Sequence, residues 1–215
     1  MADVLPSLQS ASTTEPSPYA AIAVRDPAVL FEEMLAAWGG HDDVWVFGYA
    51  SLIWRPEFAA VEQRPAIVHG WHRALEMRSR VNRGTPECPG LVFALVRGGS
   101  CRGIAYRIDS AHALPELKRL WAREMPTGVY DAKWLRCGTA PGRIRALAFT
   151  LANDSPAYTG TIGDDEMVAV LRTAHGRYGT TLDYLVDTAR GLRDHAIHDR
   201  EIERLMALVQ RHALC

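Results

Sequence analysis

Short apolar segments bounded by glycine and proline fill residues 44–151, while helical apolar stripes fill residues 164–209. This segregation constrains the fold more than any other feature of the 215-residue chain. Strand patterns fall at 44–47, 67–69, 74–78, 132–137 and 144–151, and residues 91–108 read as a hairpin turning at Gly98-Gly99. One helix is embedded among them at 113–124, with Leu114, Leu117, Leu120 and Trp121 on one side. Another precedes them from Asp26-Pro27 to Trp38, where Pro27 suits a first helical turn and Gly39-Gly40 a stop. Beyond Asp164 the stripes Met167/Val170/Leu171, Leu182/Leu185/Val186 and Ile202/Leu205/Met206/Val209 read as core-facing helices. Alternating βαβ units would interleave the two patterns, so the chain is expected to be α+β. Many short strands at this spacing imply a small mixed β-barrel or a strongly curved sheet, with flanking helices and a helical C-terminal part.

Charge narrows the function. With 24 basic and 25 acidic side chains the net charge is −1, and no basic stripe offers a footprint for nucleic acid or an anionic membrane. No apolar run approaches the ~20 residues that span a bilayer. Residues 1–25 are rich in Ser, Thr, Ala and Pro, lack the pattern of a secretory signal, and are expected to be a disordered tail before a single domain at 26–215. Cys88, Cys101, Cys137 and Cys215 show no CxxC spacing, and the eight histidines fall at no metal-ligand interval. Reduced thiols, no metal site and a cytoplasmic location are the expectation.

Three stretches could carry chemistry. Gly48-Tyr49-Ala50-Ser51-Leu52-Ile53 follows a buried strand; its small residues let main-chain N–H groups approach a carboxylate or oxyanion, Ser51 adds a hydroxyl, and Tyr49 an aromatic wall. Taken alone, the same letters also describe an ordinary strand-to-loop turn. Ser51 lacks the GxSxG elbow of a hydrolase nucleophile. Glu124 closes the embedded helix beside Trp121 and Met125, against the negative end of the helix dipole. Burial there would raise its pKa toward that of a proton shuttle, whereas exposure would leave it paired with Arg119 or Arg123. The stretch from Val81 to Gly90, with two prolines and two glycines, reads equally as a structural turn or as a shaped loop offering Arg83 and Thr85 to a substrate; Tyr158 before Thr159-Gly160 is a similar candidate.

Together these stretches resemble the ChaC-like γ-glutamylcyclotransferase family, glutathione-specific type. The likeness rests on 44–56 (VWVFGYASLIWRP), on Arg83-Gly84-Thr85-Pro86-Glu87 with Pro89-Gly90, on Arg123-Glu124 with Gly128 and Tyr130, on Tyr158-Thr159-Gly160, and on Tyr184-Leu185. One departure is Ala50, where the family keeps glycine; it would be strained at positive φ and would only narrow the pocket at negative φ. The resemblance implies a γ-glutamylcyclotransferase-like fold that converts glutathione to 5-oxoproline and cysteinylglycine. It implies Glu124 as acid/base and Gly48 to Ile53, Arg83 and Tyr158 around the substrate, with no cofactor, metal, nucleic acid or membrane partner. Other γ-glutamyl amines or dipeptides as substrates, a non-catalytic γ-glutamyl-binding protein, and a redox role for Cys88 or Cys101 stay open at this point.

Overall fold

The computed structural model describes residues 24–214 and closes the strand-rich region into a five-stranded barrel. β1 (Val44–Gly48) pairs antiparallel with β3 (Gly90–Ile108) and parallel with β5 (Gly142–Thr150), which completes the ring. β3 pairs with β2 (Glu62–Ser79), β2 with β4 (Asp131–Thr139), and β4 with β5, all antiparallel. Full closure leaves short strands few unpaired edges. The expected tail lies outside the described residues as far as residue 23. Val24 and Arg25 are already tied down: the Val24 N–H donates to Thr127 O at 2.7 Å, and Arg25 donates to Gly128 O and Tyr130 O.

The hairpin expected at Gly98-Gly99 is not formed; β3 runs unbroken through both glycines. His69 pairs with Ser100 and Trp71 with Arg97, so Gly70 of β2 stands opposite Gly98 and Gly99. Two residues against one make a bulge, and all three glycines take positive φ (79°, 107° and 62°) that side chains resist. The glycine pair therefore bends a long ribbon instead of reversing it. For the same reason 67–69 and 74–78 are parts of one strand.

α1 (Pro27–Trp38) begins where Asp26 caps it, its carboxylate accepting from the Ala28 N–H, and ends at Gly39 with φ 87°. α2 (Ser51–Trp54) is a single turn directly after β1. α3 (Ala113–Glu124) crosses from β3 to β4 with Ala113, Leu117, Leu120 and Trp121 buried. Leu114, expected on that face, is 42% exposed, and Glu116 takes the buried position. α4 (Asp164–Thr173), the two-residue strands β6 (His175–Gly176) and β7 (Gly179–Thr180), α5 (Thr181–Asp194) and α6 (Arg200–Arg211) complete the chain. A Thr180–Asp183 capping box starts α5, which packs on α2 and β3. The buried face of α5 carries Tyr184 and Thr188 beside Leu185 and Leu192, and Leu182 and Val186 are only half-buried.

Candidate active site

β1 ends at the barrel rim, and the chain turns at once into α2. The carbonyl of Ala50 accepts from the Ile53 N–H at 2.8 Å, and no side chain caps the helix. The first N–H groups of a helical turn have no partner within it, so this turn presents main-chain donors. Tyr49, Ala50, Ser51 and Leu52 wall a recess of about 20 Å³, together with Phe93, Glu124, Tyr130, Phe149 and Tyr184. That space suits roughly one water-sized polar group, such as a carboxylate or carbonyl oxygen. Ala50 has φ −141°, outside the left-handed region, so its methyl narrows the recess without the strain that positive φ would bring.

The turn is held from below by an ion. Arg73 has no exposed side-chain surface; its Nε donates to Tyr49 O, its Nη2 to Arg102 O at 2.7 Å, and its Nη1 to the Asp199 carboxylate. A buried guanidinium whose donors are answered by carbonyls and a carboxylate fixes those carbonyls in turn. Asp199 also caps α6, accepting from the Glu201 and Ile202 N–H groups. Nothing in the sequence pairs positions 126 residues apart.

Ser51, Glu124, Tyr130 and Tyr184 also line a larger cleft of about 360 Å³, within the ~300–1,000 Å³ range of small-molecule sites. Glu124, the last residue of α3, thus stands where recess and cleft share a wall. Only 15% of its side chain is accessible, and burial raises its pKa. Arg123 opposes that shift through its Nε, 3.0 Å from Glu124 Oε1, while Glu57 adds to it. Glu124 is desolvated rather than exposed, and of the pairing expected for an exposed carboxylate it keeps the contact with Arg123. Arg123 also donates to Ser51 Oγ at 3.0 Å, to Glu57 Oε2 at 2.9 Å and to Arg55 O, tying α3 to α2.

Three tyrosines surround the carboxylate. Tyr49 Oη donates to Phe149 O at 2.9 Å and shares a hydrogen bond with Tyr130. Tyr184 Oη accepts from the Phe93 N–H, which leaves its own proton for the pocket. Burial, reinforced by the nearby Glu124 charge, holds all three hydroxyls above the ordinary tyrosine range, so they remain donors. Tyr130 and Tyr184 are the site residues that composition and periodicity miss. Each lies in sequence that reads as core, and only the motif likeness singles them out.

The other expected residues divide. Arg83 lines the cleft, 8% exposed, with Nη1 donating to Tyr178 O and Thr180 O and its guanidinium 5.1 Å from the centre of the Tyr184 ring. Its loop is knotted: a Cβ on Gly84 would collide with the backbone of Cys88, Pro89 and Gly90, and one on Gly176 with that of Asn82, Arg83 and Gly84. Gly48 and Ile53 are not part of either wall. Gly48 lets Tyr106 and Leu52 pack on the backbone, and Ile53 is buried with its carbonyl accepting from Tyr106 Oη. Tyr158 is not brought to the cleft either; it bridges Met77 through its backbone, and its hydroxyl bonds Glu76. Its neighbours Pro156 and Ala157 supply that part of the wall. Cys88 is exposed, and Cys101 and Cys137 are buried; none of the three lines the site. Among the described residues no cluster of three His, Cys, Asp or Glu forms, and no helix is long and apolar enough to cross a membrane.

A family model described as ChaC-like protein matches residues 44–212. The glutathione-specific gamma-glutamylcyclotransferase of Escherichia coli (strain K12) is 33% identical over 169 residues, 78% of this chain and 73% of that protein. Glutathione-specific gamma-glutamylcyclotransferase 1 of Homo sapiens is 31% identical over 156 residues, 70% of each chain. Among solved structures, the yeast γ-glutamyl cyclotransferase specific to glutathione superposes with a TM-score of 0.73 at 22% identity, over 80% of this chain and 97% of that one, a likeness of fold.

Proposed function

The chain belongs to the ChaC-like family, and from that premise we propose that it is a γ-glutamylcyclotransferase that converts glutathione to 5-oxoproline and cysteinylglycine. The observation that carries the reading is Glu124, desolvated and facing a recess walled by the Tyr49–Leu52 turn. In this reaction the γ-glutamyl amine attacks the γ-carbonyl of its own residue, closing a five-membered ring and expelling the cysteinyl nitrogen. Glu124 would take the proton that the amine loses and deliver one to the leaving nitrogen; a carboxylate with a raised pKa suits both halves. The nucleophile is tethered, so folding the substrate into a near-attack shape supplies much of the rate. Main-chain donors of the 49–52 turn and the hydroxyl of Tyr184 would hold the substrate carboxylate and the developing oxyanion. Arg83 would line the path to them. Residues 26–215 would act as one catalytic unit, and a cytoplasmic location follows from a substrate that is abundant with reduced thiols.

The test is a product assay. Purified protein with glutathione is expected to release 5-oxoproline and cysteinylglycine in equal amounts. It is also expected to show a higher kcat/KM for glutathione than for γ-glutamyl amines or γ-glutamyl dipeptides. Binding of glutathione without any 5-oxoproline would contradict the proposal and identify a binding protein instead.

A further inference from the structure

The cleft wall is unbalanced in charge. Among the described residues six arginines line it (55, 78, 80, 83, 123 and 177) against two glutamates, Glu57 and Glu124. Both glutamates contact Arg123, and Arg55 pairs with Glu57. Arg83 spends Nη1 on two carbonyls. The remaining three have no acidic partner among the described residues. Arg78 and Arg80 are exposed and make no side-chain hydrogen bond or ion pair there, and Arg177 lies only against the Tyr178 ring, at 5.4 Å. The backbones of Arg78 and Arg177 are nonetheless fixed. The Arg78 N–H donates to Ala157 O and the Arg177 N–H to Val81 O, both at 2.8 Å, so the β2 end and the β6–β7 hairpin carry the three cations as one wall.

Unpartnered guanidinium groups on a rigid wall of a ligand cleft make an anion subsite. On the reading proposed above, the tripeptide carries two carboxylates and one ammonium. The γ-glutamyl end places one carboxylate and the reacting amine at the recess beside Glu124. The cysteinylglycine part extends roughly 7 Å further, at 3.3–3.6 Å per residue, and ends in the second carboxylate. We propose that Arg78, Arg80 and Arg177 receive this distal glycine carboxylate. They thereby set the preference for the tripeptide over γ-glutamyl compounds that have no negative charge at that end. This inference deepens the cyclotransferase reading and rests on it.

The experiment compares glutathione with its glycine monoethyl ester, which keeps the shape and loses the distal charge. Wild-type protein is expected to favour the acid by about tenfold in kcat/KM, the sum of modest contributions from exposed cations. The double variant Arg78→Gln/Arg80→Gln should lose most of that factor for the acid, through KM with kcat little changed, and leave the ester unaffected. Arg78→Lys/Arg80→Lys should retain the preference, because the charge stays. An equal preference in the wild type and the glutamine variant, or none in the wild type, overturns the assignment while leaving the cyclotransferase reading intact. If wild-type protein releases no 5-oxoproline from either compound, the functional reading itself fails and takes this proposal with it.

Discussion

Arg73 offers a direct test of what holds the Tyr49–Leu52 turn in place. Its side chain is fully enclosed, its charge is answered by Asp199, and it donates to Tyr49 O under the candidate site. Asp199→Ala leaves that charge buried without a counter-ion, a change that typically costs about 3–5 kcal/mol. The same carboxylate caps α6, and losing a cap adds roughly 1 kcal/mol. Asp199 is 17% exposed, so water can replace part of what is lost, and the total should fall near 3 kcal/mol, at the low end of that range. With an m-value of about 2 kcal/mol/M, the urea midpoint should drop by about 1.5 M. Asp199→Asn keeps a cap acceptor and a neutral partner for Arg73, so its drop should be about half as large. A folded Asp199→Asn protein should also show reduced 5-oxoproline release, because Arg73 then holds the Tyr49 carbonyl less firmly. Should Asp199→Ala shift the midpoint by less than about 0.3 M, the assigned role of the pair is wrong.

Since Glu124 must be ionised to accept a proton and burial raises its pKa, activity should be lost as pH falls through a value above the ordinary 4.5. Arg123→Gln should move that acid limb of kcat/KM to higher pH and Glu57→Gln to lower pH, since the first removes a stabilising cation and the second a repelling anion; movement in the opposite directions contradicts the electrostatics. Burial pushes the Cys101 thiol up to about 11 and the Cys137 thiol to about 12, so native protein treated with iodoacetamide at pH 8 should leave both unmodified while Cys88 reacts, as read by mass spectrometry. Cys88→Ser should retain full turnover, which a redox role would not allow. Gly84→Ala should lower stability by about 2 kcal/mol or more and raise KM, because the new methyl must push the Arg83 loop away from Gly90; unchanged KM and melting temperature would refute the close-approach argument.

What the sequence made legible was local. The limits of α1 and α3 were readable because Asp26, Pro27, Gly39 and Pro126 act on their own neighbours. β1 was readable as a continuous apolar run ending at glycine. What it hid was long-range. Gly98-Gly99 carries the same signal whether the chain reverses or bulges, and only Gly70, in the partner strand, decides between them. Leu114 fits the helical stripe as well as Glu116 does not, yet the helix is rotated to bury Ala113 and Glu116. Glu124 and the Tyr49–Leu52 turn were visible as candidates, and the structure brings them to one wall. Tyr130 and Tyr184 showed only through the motif likeness, since a buried aromatic otherwise reads as core, and Arg73 was not visible at all, since a buried arginine reads as surface until its partner is seen.

The most direct measurement is turnover by Glu124→Gln beside its affinity for glutathione. The substitution preserves shape, and relief of a desolvated charge offsets the lost Arg123 ion pair, so the variant should fold. Acid/base catalysis of this kind contributes about 10²–10⁴-fold. 5-Oxoproline release should fall within that range, with glutathione still bound at near wild-type affinity. A folded variant that turns over at the wild-type rate contradicts the role given to Glu124.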